Sequence, residues 1–179
     1  MRVLQNSKPP QGNFVPFTIR DYRPDDFERL WEIDQVCFPP GISYSRFELG
    51  IYVSRRNAFT LIAHAGGPDD VDQKILGFLV AEAGRRRVGH IITIDVLSGA
   101  RKQGLGSSLL ETGETRMQSV GCRSIYLETA VDNAAALAFY KRHRYDVIKT
   151  VPRYYSDGVD ALVLEKNLLP AGPSDNLLR

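Results

Sequence analysis

Apolar residues recur along the chain in short blocks, and their spacing predicts a succession of strands and helices. Residues 14–20 form the first predicted strand. A helix over 23–33 follows, since Pro24 stands in the first turn together with two aspartates that favour the positive end of the helix dipole. The buried face of this helix is predicted to consist of Phe27, Leu30, Trp31 and either Ile33 or Asp34.

A proline-rich loop interrupts the pattern at 37–44, CFPPGISY, which contains aromatic side chains but cannot form a regular helix. The next four residues, SRFE at 45–48, have the spacing of a capping box and predict a second helix that runs to about Ser54. Two apolar segments follow at 58–65 and 75–82. Because turn-forming residues separate them, we expect an antiparallel hairpin.

The second half of the chain alternates between strand-like and helix-like segments. A strand at 90–97 precedes a helix over 104–120, which Gly121 ends. The buried face of that helix is predicted to hold Leu105, Leu109, Met117 and Val120. The remaining predicted elements are a strand at 124–129, a helix that is capped by Asp132 or Asn133 and ends near His143, and strands at 145–151 and 161–166.

The length of 179 residues fits one domain, which we expect to span 14–169. Segments 1–13 and 170–179 are polar and contain proline and glycine, which predicts flexible tails. Hydrophobic residues make up 43% of the chain and charged residues 25%, as in an ordinary soluble domain. The formal net charge of +2 is too small to predict a nucleic-acid partner.

The two cysteines, Cys37 and Cys122, lie far apart in the sequence and belong to no CxxC pair. We therefore expect neither a metal site nor a disulfide framework, and a reducing cytoplasm fits best. No apolar run approaches the roughly 20 residues of a membrane span, and the first residues lack the apolar core of a signal peptide. We expect a cytoplasmic monomer or weak dimer without a membrane partner.

The strand at 90–97 leads through Arg101-Lys102-Gln103-Gly104-Leu105-Gly106 straight into a helix. A glycine-rich turn at a helix N-terminus directs several backbone N–H groups at one point, with the positive end of the dipole behind them. This pattern predicts a phosphate cradle. A Walker A loop is excluded because Lys and Ser or Thr do not follow Gly104, and a dinucleotide fingerprint because Leu109 replaces the third glycine.

The remaining pattern, Arg-x-x-Gly-x-Gly, resembles the pyrophosphate-binding motif of the GCN5-related N-acetyltransferases, the GNAT family. About 150 residues follow the family's order of strands and helices. The resemblance is strongest to the branch that acetylates protein N-termini, the RimI-like ribosomal-protein alanine acetyltransferases and their archaeal and eukaryotic relatives. The segments that carry it are Gly89-His90-Ile91, Tyr126-Leu127-Glu128 with Asn133-Ala134-Ala135-Ala136, Ala138-Phe139-Tyr140, Arg153-Tyr154-Tyr155-Ser156-Asp157-Gly158 and Asp160-Ala161.

The resemblance implies an α/β GNAT fold, with a mixed, mostly antiparallel central sheet of about seven strands flanked by four helices. It also implies an enzyme that uses acetyl-coenzyme A to acetylate the N-terminal α-amine of a protein or peptide by direct attack in a ternary complex. Acetylation of a lysine side chain or a small-molecule amine on the same scaffold is one alternative. A non-catalytic acyl-coenzyme A sensor is another.

By the same resemblance, Glu128 is the expected base, Tyr140 the acid that protonates the departing thiolate, and His90 a second candidate base. The alternatives are a salt-bridged glutamate, a core tyrosine and a histidine bonded to backbone. The expected contacts of the cofactor are the strand edge at Asp95, Val96 and Leu97, the cradle residues Arg101, Lys102, Gln103, Gly104, Leu105, Gly106, Ser107 and Ser108, and the side chains of Asn133 and Tyr140.

Two details of the strand edge stay open at this point. The N–H group of either Val96 or Leu97 is expected to bind the thioester oxygen. Asp95 departs from the small apolar residue of many relatives, and its carboxylate faces either the acceptor amine or the protein surface. The basic run at 85–87 is read as a solvated hairpin tip, with a patch for an acidic partner as the alternative.

The acceptor is expected to bind between two aromatic walls, unless these side chains are core residues under a loop. The wall residues are Phe38, Pro39, Tyr44 and Phe47 on one side and Tyr154 and Tyr155 on the other. Relatives that accept Met-initiated or acidic termini carry Leu-Pro-Glu in this loop, where the chain has Phe38-Pro39-Pro40. The resemblance therefore favours small first residues such as Ala or Ser.

Overall fold

The computed structural model describes residues 16–66 and 74–168, which form one sheet with helices on both faces. The elements are β1 Phe17–Asp21, α1 Phe27–Cys37, α2 Arg46–Ser54, β2 Ala58–Ala65, β3 Ile75–Ala83, β4 Val88–Val96, α3 Leu105–Ser119, β5 Ser124–Ala130, α4 Ala134–Arg142, β6 Asp146–Val151 and β7 Ala161–Asn167. The predicted tails lie outside the described residues, as do 14–15 of the first predicted strand and most of the turn between β2 and β3.

The sheet is mixed and mostly antiparallel, as expected. Its strands follow the order β1-β2-β3-β4-β5-β7-β6, and only β4 and β5 run parallel to each other. The expected hairpin is confirmed, because β2 pairs antiparallel with β3. Seven strands and four α-helices in the described part of the chain match the expected α/β fold class.

The parallel pair β4–β5 is short, and this shortness creates the site. Hydrogen-bonded pairing joins 88–90 of β4 to 124–126 of β5, and the two strands then separate. At the same level, the β3–β4 register jumps so that Ile92 has no partner opposite it. Such a bulge bends a strand and increases its twist. The carboxyl halves of β4 and β5 therefore diverge and leave a gap in the middle of the sheet.

Two hydrophobic layers cover the faces of the sheet. On one face, α3 and α4 pack over a core that includes the fully buried Leu79, Leu109 and Met117. On the other face, α1 and α2 cover Phe78 and its neighbours with Leu30 and Leu49. Burial of such side chains stabilises the fold by about 1.5–3 kcal/mol each. The gap between β4 and β5 thus lies between two packed hydrophobic layers.

Several predicted boundaries need correction. The first helix begins after a 3₁₀ turn at Pro24–Asp26 and continues to Cys37, four residues beyond the predicted end, until the two prolines that follow Phe38 stop it. Its buried residues include Leu30, Ile33 and Asp34, whereas Phe27 and Trp31 are only half-buried. The predicted capping box of α2 is confirmed, since the Glu48 N–H donates to Ser45 Oγ over 3.2 Å.

Val120 was expected in the core, and this prediction is wrong. Its side chain is 62% exposed. Helix α3 ends at Ser119, and Gly121 adopts a left-handed φ of 91°, so the chain turns away before Val120 can continue the buried face. Within the described residues, none of the helices has both the length and the apolar character that a membrane crossing requires.

Candidate active site

A cavity of about 800 Å³ fills the gap between the diverging halves of β4 and β5. Its lining includes Gly106 and Tyr140 from the side of α3 and α4, and Tyr44 and Tyr52 from the side of α1 and α2. Of the predicted site residues, those that line it are His90, Asp95, Val96, Arg101, Lys102, Gly104, Gly106, Ser107, Glu128, Asn133, Tyr140, Phe38, Tyr44, Tyr154 and Tyr155. Six others lie outside its lining, namely Leu97, Gln103, Leu105, Ser108, Pro39 and Phe47.

The phosphate cradle lies on the α3 side of the cavity. Gly104 caps α3 with a left-handed φ of 86°, a conformation that glycine adopts without steric cost. The next three residues, 105–107, are the first turn of the helix, whose N–H groups have no helical acceptor. Ser108 differs, because its N–H donates to the Gly104 carbonyl over 2.9 Å. Backbone donors at 105–107 therefore fit a pyrophosphate group, and Ser108 does not contribute one.

The side chains around the cradle divide into two groups. Lys102 and Ser107 line the cavity, and Ser107 Oγ is 2.9 Å from His143 Nε2. In contrast, Leu105 is 1% exposed and packs into the core, so only its backbone can meet a ligand. Gln103 turns back and donates from Nε2 to the Gly99 carbonyl over 3.0 Å.

The end of β4 presents one backbone donor to the gap. The Leu97 N–H donates to the Leu76 carbonyl on the β3 side over 2.9 Å, so Leu97 is excluded as the donor to a thioester oxygen. Because N–H groups alternate between the two edges of a strand, the Val96 N–H faces the gap. The Val96 carbonyl accepts from Arg101 Nε over 2.8 Å, which fixes the strand end beside the cradle.

Asn133 connects the cavity to α4. Its Oδ1 accepts from the Ala136 N–H over 3.1 Å, so Asn133 rather than Asp132 caps this helix. The side-chain amide nitrogen remains available toward the cavity that Asn133 lines. The cradle offers donors for phosphate groups, and the Val96 N–H and the Asn133 side chain offer partners for amide groups. A long thiol cofactor such as coenzyme A carries both kinds of group.

The two candidate bases lie in direct contact. His90 Nε2 is 2.8 Å from Glu128 Oε2, and each side chain is 18% exposed. The ring of Tyr126 stacks on the imidazole with a centroid distance of 4.3 Å and an interplanar angle of 2°. Glu128 thus pairs with a titratable group instead of a permanent cation, and the pair can accept a proton from a group bound in the cavity.

Tyr140 lines the same cavity although it is almost fully buried. Burial, followed by the nearby carboxyl of Asp95, raises the pKa of its phenol well above the ordinary value. The hydroxyl therefore carries its proton at neutral pH. This is the protonation state that a general acid requires.

Asp95 does not point to the surface. Its side chain is 1% exposed, and Oδ1 accepts from the Thr93 hydroxyl over 2.5 Å, while Oδ2 finds no hydrogen-bond partner within 16–66 and 74–168. Burial raises the pKa of this carboxyl far above its usual range. Burial therefore favours the uncharged form of the Asp95 carboxyl beside the Val96 edge.

Aromatic side chains line the α1–α2 face of the cavity. Tyr44 stands 5.0 Å from Tyr52, ring to ring, and the Tyr44 hydroxyl donates to the Ile92 carbonyl over 3.3 Å. Opposite them, the rings of Tyr154 and Tyr155 meet edge to face at 5.0 Å. Phe47 does not belong to this wall, because its side chain is 77% exposed on the outer face of α2.

Sequence reasoning missed two residues of this face. Tyr52 lines the cavity, and only its position four residues after Glu48 on a helix that borders the loop could have indicated it. Asp34 was considered only as a core residue. Its Oδ2 accepts from the Tyr44 N–H over 2.8 Å and from Gln35 Nε2 over 3.0 Å, and burial raises its pKa to about 6. Asp34 thus anchors the loop that carries Phe38 and Tyr44.

Two relatives cover most of the chain. An N-alpha-acetyltransferase of Saccharolobus solfataricus is 27% identical over 164 residues, with 85% of the chain and 93% of the relative covered. An N-acetyltransferase of Methanocaldococcus jannaschii is 30% identical over 149 residues, with 83% and 90% covered.

Two solved structures share the fold. Ard1 from Thermoplasma volcanium superposes with a TM-score of 0.77 at 24% identity, over 87% of the chain and all of that structure. The ribosomal-protein-S18-alanine N-acetyltransferase of Escherichia coli gives a TM-score of 0.75 at 22% identity, over 92% of the chain and all of that structure. The expected GNAT fold is therefore confirmed.

The family profile described as acetyltransferase (GNAT) family matches residues 27–145, which include α1 to α4 and the whole strand-to-helix turn of the cradle. Together with the relative that is 30% identical over most of its length, this match also confirms the expected enzyme class, an N-acetyltransferase. The chain belongs to the acetyltransferase (GNAT) family.

Proposed function

We propose that this protein transfers the acetyl group of acetyl-coenzyme A to the N-terminal α-amine of a polypeptide, by direct attack in a ternary complex. One observation carries the proposal: a single cavity joins the phosphate cradle on one face of the sheet to the His90–Glu128 pair between tyrosine walls on the other. The N-alpha-acetyltransferases among the relatives support the choice of acceptor.

The donor side of the cavity is built for acetyl-coenzyme A. When bound, this cofactor supplies an activated acetyl thioester. The N–H groups at 105–107 and the ammonium of Lys102 would hold its phosphates, and the Asn133 amide would hold the pantetheine arm. The Val96 N–H faces the gap, where it would donate to the thioester oxygen and stabilise the negative charge that develops there.

The acceptor side supplies the proton chemistry. Glu128, in contact with His90, takes the proton from the ammonium group so that the amine becomes a nucleophile. Tyr140 keeps its phenolic proton and gives it to the departing thiolate. A route through an acyl-cysteine has no support, since burial raises the pKa of the Cys37 thiol and the Cys122 side chain is buried away from the cavity.

The acceptor preference follows from the loop 38–45 and the tyrosine walls. Phe38 and Tyr44 line the cavity on the side of α1, and Phe38-Pro39-Pro40 stands where relatives that accept Met-initiated or acidic termini carry Leu-Pro-Glu. We therefore propose a RimI-like preference for Ala or Ser at the acceptor N-terminus. The free thiols of Cys37 and Cys122 favour a reducing cytoplasm as the place of the reaction.

A matched peptide panel tests the acceptor. Each peptide starts with a different residue and is made in three forms: with a free α-amine and no lysine, with a formylated α-amine and one lysine, and with neither amine. Release of free coenzyme A and mass-spectrometric mapping of the acetyl group are measured. The proposal expects acetylation of the first form, with the fastest turnover for Ala or Ser.

The alternatives give different results in the same panel. Acetylation of the formylated lysine peptides alone would replace the proposal with a side-chain acetyltransferase. Acetylation of a polyamine, assayed beside the panel, with no acetylation of any peptide would replace it with a small-amine acetyltransferase. Tight binding of acetyl-coenzyme A without turnover of any amine would favour an acyl-coenzyme A sensor.

A further inference from the structure

Three neighbouring strands place polar side chains in one row across the sheet. Glu82 of β3 lies directly opposite His90 of β4 in the antiparallel register, and His90 lies opposite Tyr126 of β5 in the parallel register. Side chains directly opposite each other share one face of a sheet. Glu128 is two residues after Tyr126 and therefore belongs to the same face.

The imidazole of His90 has a carboxylate beside each of its nitrogens. Nε2 is 2.8 Å from Glu128 Oε2, and Nδ1 is 3.8 Å from Glu82 Oε1. The longer distance is within reach of a side-chain rotation or one bridging water. Stacking on Tyr126 holds the plane of the ring. His90 is thus the link between a carboxylate in the cavity and a second carboxylate on the next strand.

Arg55 fixes Glu82 from the outside. Its Nη1 is 3.0 Å from both carboxylate oxygens of Glu82, and its guanidinium lies over the ring of Tyr52 at 4.4 Å. The Arg55 side chain is 40% exposed and that of Glu82 is 23% exposed. The row therefore runs from the cavity to water at the end of α2.

We propose that Glu82 is a positioning residue that acts through His90, and that Glu82, His90 and Glu128 carry the acceptor proton out of the cavity. The proposal rests on the proposed amine acetylation. An N–H bond of the ammonium breaks as Glu128 takes the proton, and Glu128 passes it to His90 Nε2. His90 releases its Nδ1 proton to Glu82, which releases it to water. Water that reaches the partly exposed imidazole then gives a proton to Nδ1 and takes one from Nε2, which restores the starting tautomer.

The other titratable groups of this face do not replace Glu82. Burial, and then the charges of Glu128 and Glu82, raise the pKa of Tyr126, so Tyr126 keeps its proton and acts as a stacking surface. Burial raises the pKa of Tyr154 to about 12, with Glu128 as the next cause. The groups that surround the row are Tyr52 of α2, Arg55 directly after α2, Tyr126 of β5, and Tyr154 and Tyr155 after β6.

Two substitutions separate a proton carrier from a structural residue. Glu82→Gln keeps the shape and a hydrogen-bond acceptor but cannot take a proton, whereas Glu82→Asp keeps a carboxylate with a shorter reach. We expect kcat of Glu82→Gln to fall about tenfold, with KM for acetyl-coenzyme A and peptide within about twofold of wild type. Glu82→Asp should retain more activity than Glu82→Gln. Added imidazole should restore kcat of Glu82→Gln by accepting the proton directly.

Glu32→Gln is the matched control, because Glu32 pairs with Arg29 on an exposed face of α1 outside the cavity. It should change neither kcat nor the response to imidazole. If Glu82→Gln keeps the wild-type kcat, or if imidazole does not restore a lowered kcat, the proposed proton relay through Glu128, His90 and Glu82 is wrong.

Different experimental results would contradict the proton relay and the proposed α-amine acceptor. If the wild type acetylates only lysine peptides, the proposed acceptor is wrong, and the Glu82 comparison is made with the lysine peptide. An inert wild type with every amine would overturn both proposals.

Discussion

The Tyr44 backbone N–H donates to Asp34 Oδ2 over 2.8 Å and ties the proline-rich loop to the middle of α1. Asp34 is fully buried, and its Oδ1 finds no hydrogen-bond partner in the described part of the chain. The buried carboxyl of Asp34 thus holds the loop that forms one wall of the acceptor site.

Asp34→Ala should weaken acceptor binding without weakening donor binding. The substitution removes the tether of Tyr44 but touches no part of the cradle. We expect KM for the peptide to rise about tenfold, as for the loss of a hydrogen bond to a charged group, and Kd for acetyl-coenzyme A to stay within about twofold. Initial rates and calorimetric titration measure the two constants. If binding of the peptide and binding of acetyl-coenzyme A weakened equally, the variant would have lost its fold.

The same carboxyl predicts a pH dependence of stability. Its native pKa of about 6 exceeds the usual 3.8, so between these values the native state binds more protons than the unfolded chain. The free energy of unfolding therefore falls as pH rises through this window. The shift from 3.8 to about 6 corresponds to about 3 kcal/mol.

Asp34→Asn removes this titration, so its stability relative to wild type should increase from about pH 4 to about pH 8. Urea unfolding across that range measures the difference. The other carboxyls are common to both proteins and cancel in the comparison. If the free energies of unfolding of the two proteins changed in parallel with pH, the raised pKa of Asp34 would be contradicted.

Tyr140→Phe should lower kcat by about 100-fold and leave acetyl-coenzyme A affinity nearly unchanged, because it removes only the proton donor. Tyr145→Phe is the matched control. The Tyr145 ring is 5.5 Å from that of Tyr140, but its hydroxyl donates to Glu114 Oε1 over 3.0 Å and lies outside the cavity lining. This control should cost about 1 kcal/mol of stability and no activity. Wild-type turnover in Tyr140→Phe would exclude Tyr140 as the general acid.

Gly104→Val should weaken binding of acetyl-coenzyme A through the backbone. A Cβ at Gly104 would meet no atom within 4 Å, but the left-handed φ of 86° is unfavourable for a β-branched residue and should distort the first turn of α3. We expect Kd to rise about tenfold or more, measured by calorimetry.

Gly121→Val is the control for the effect of placing valine at a left-handed φ. Gly121 lies just beyond the other end of the same helix, with a φ of 91° and equally open space. Its substitution should cost a similar amount of stability, about 1–2 kcal/mol, without changing Kd. If both variants bound the cofactor like wild type, the cradle would not be the phosphate site.

Local patterns were sufficient to predict the parts of the site that depend on adjacent residues. A cap at Asp132 or Asn133 and the turn around Gly104 follow from hydrogen-bonding and φ preferences within a few positions, and the structure selects Asn133 as the cap. Strand β2 has the predicted bounds, because its apolar run ends at turn residues. The expectation that Glu128 and Tyr140 belong to one site came from family resemblance and not from such patterns.

Contacts that depend on strand register could not be predicted in this way. Glu82 meets His90 only because β3 and β4 pair with a bulge at Ile92, and a shift by one residue would turn Glu82 to the opposite face. The contact of Asp34 with Tyr44 joins a helix to an irregular loop, which has no periodicity to read. Both cases require knowledge of non-local packing.

Asp95→Asn should be tolerated, whereas Asp95→Ala should not. Burial raises the pKa of the Asp95 carboxyl and so favours its uncharged form, and the uncharged amide of asparagine has a similar size and still accepts from the Thr93 hydroxyl. Alanine leaves that buried hydroxyl unpaired and opens a small cavity, which should cost about 1–3 kcal/mol. Denaturant unfolding and kcat at neutral pH test both variants. A large loss of kcat in Asp95→Asn with wild-type stability would show instead that an ionised carboxylate acts beside the Val96 edge.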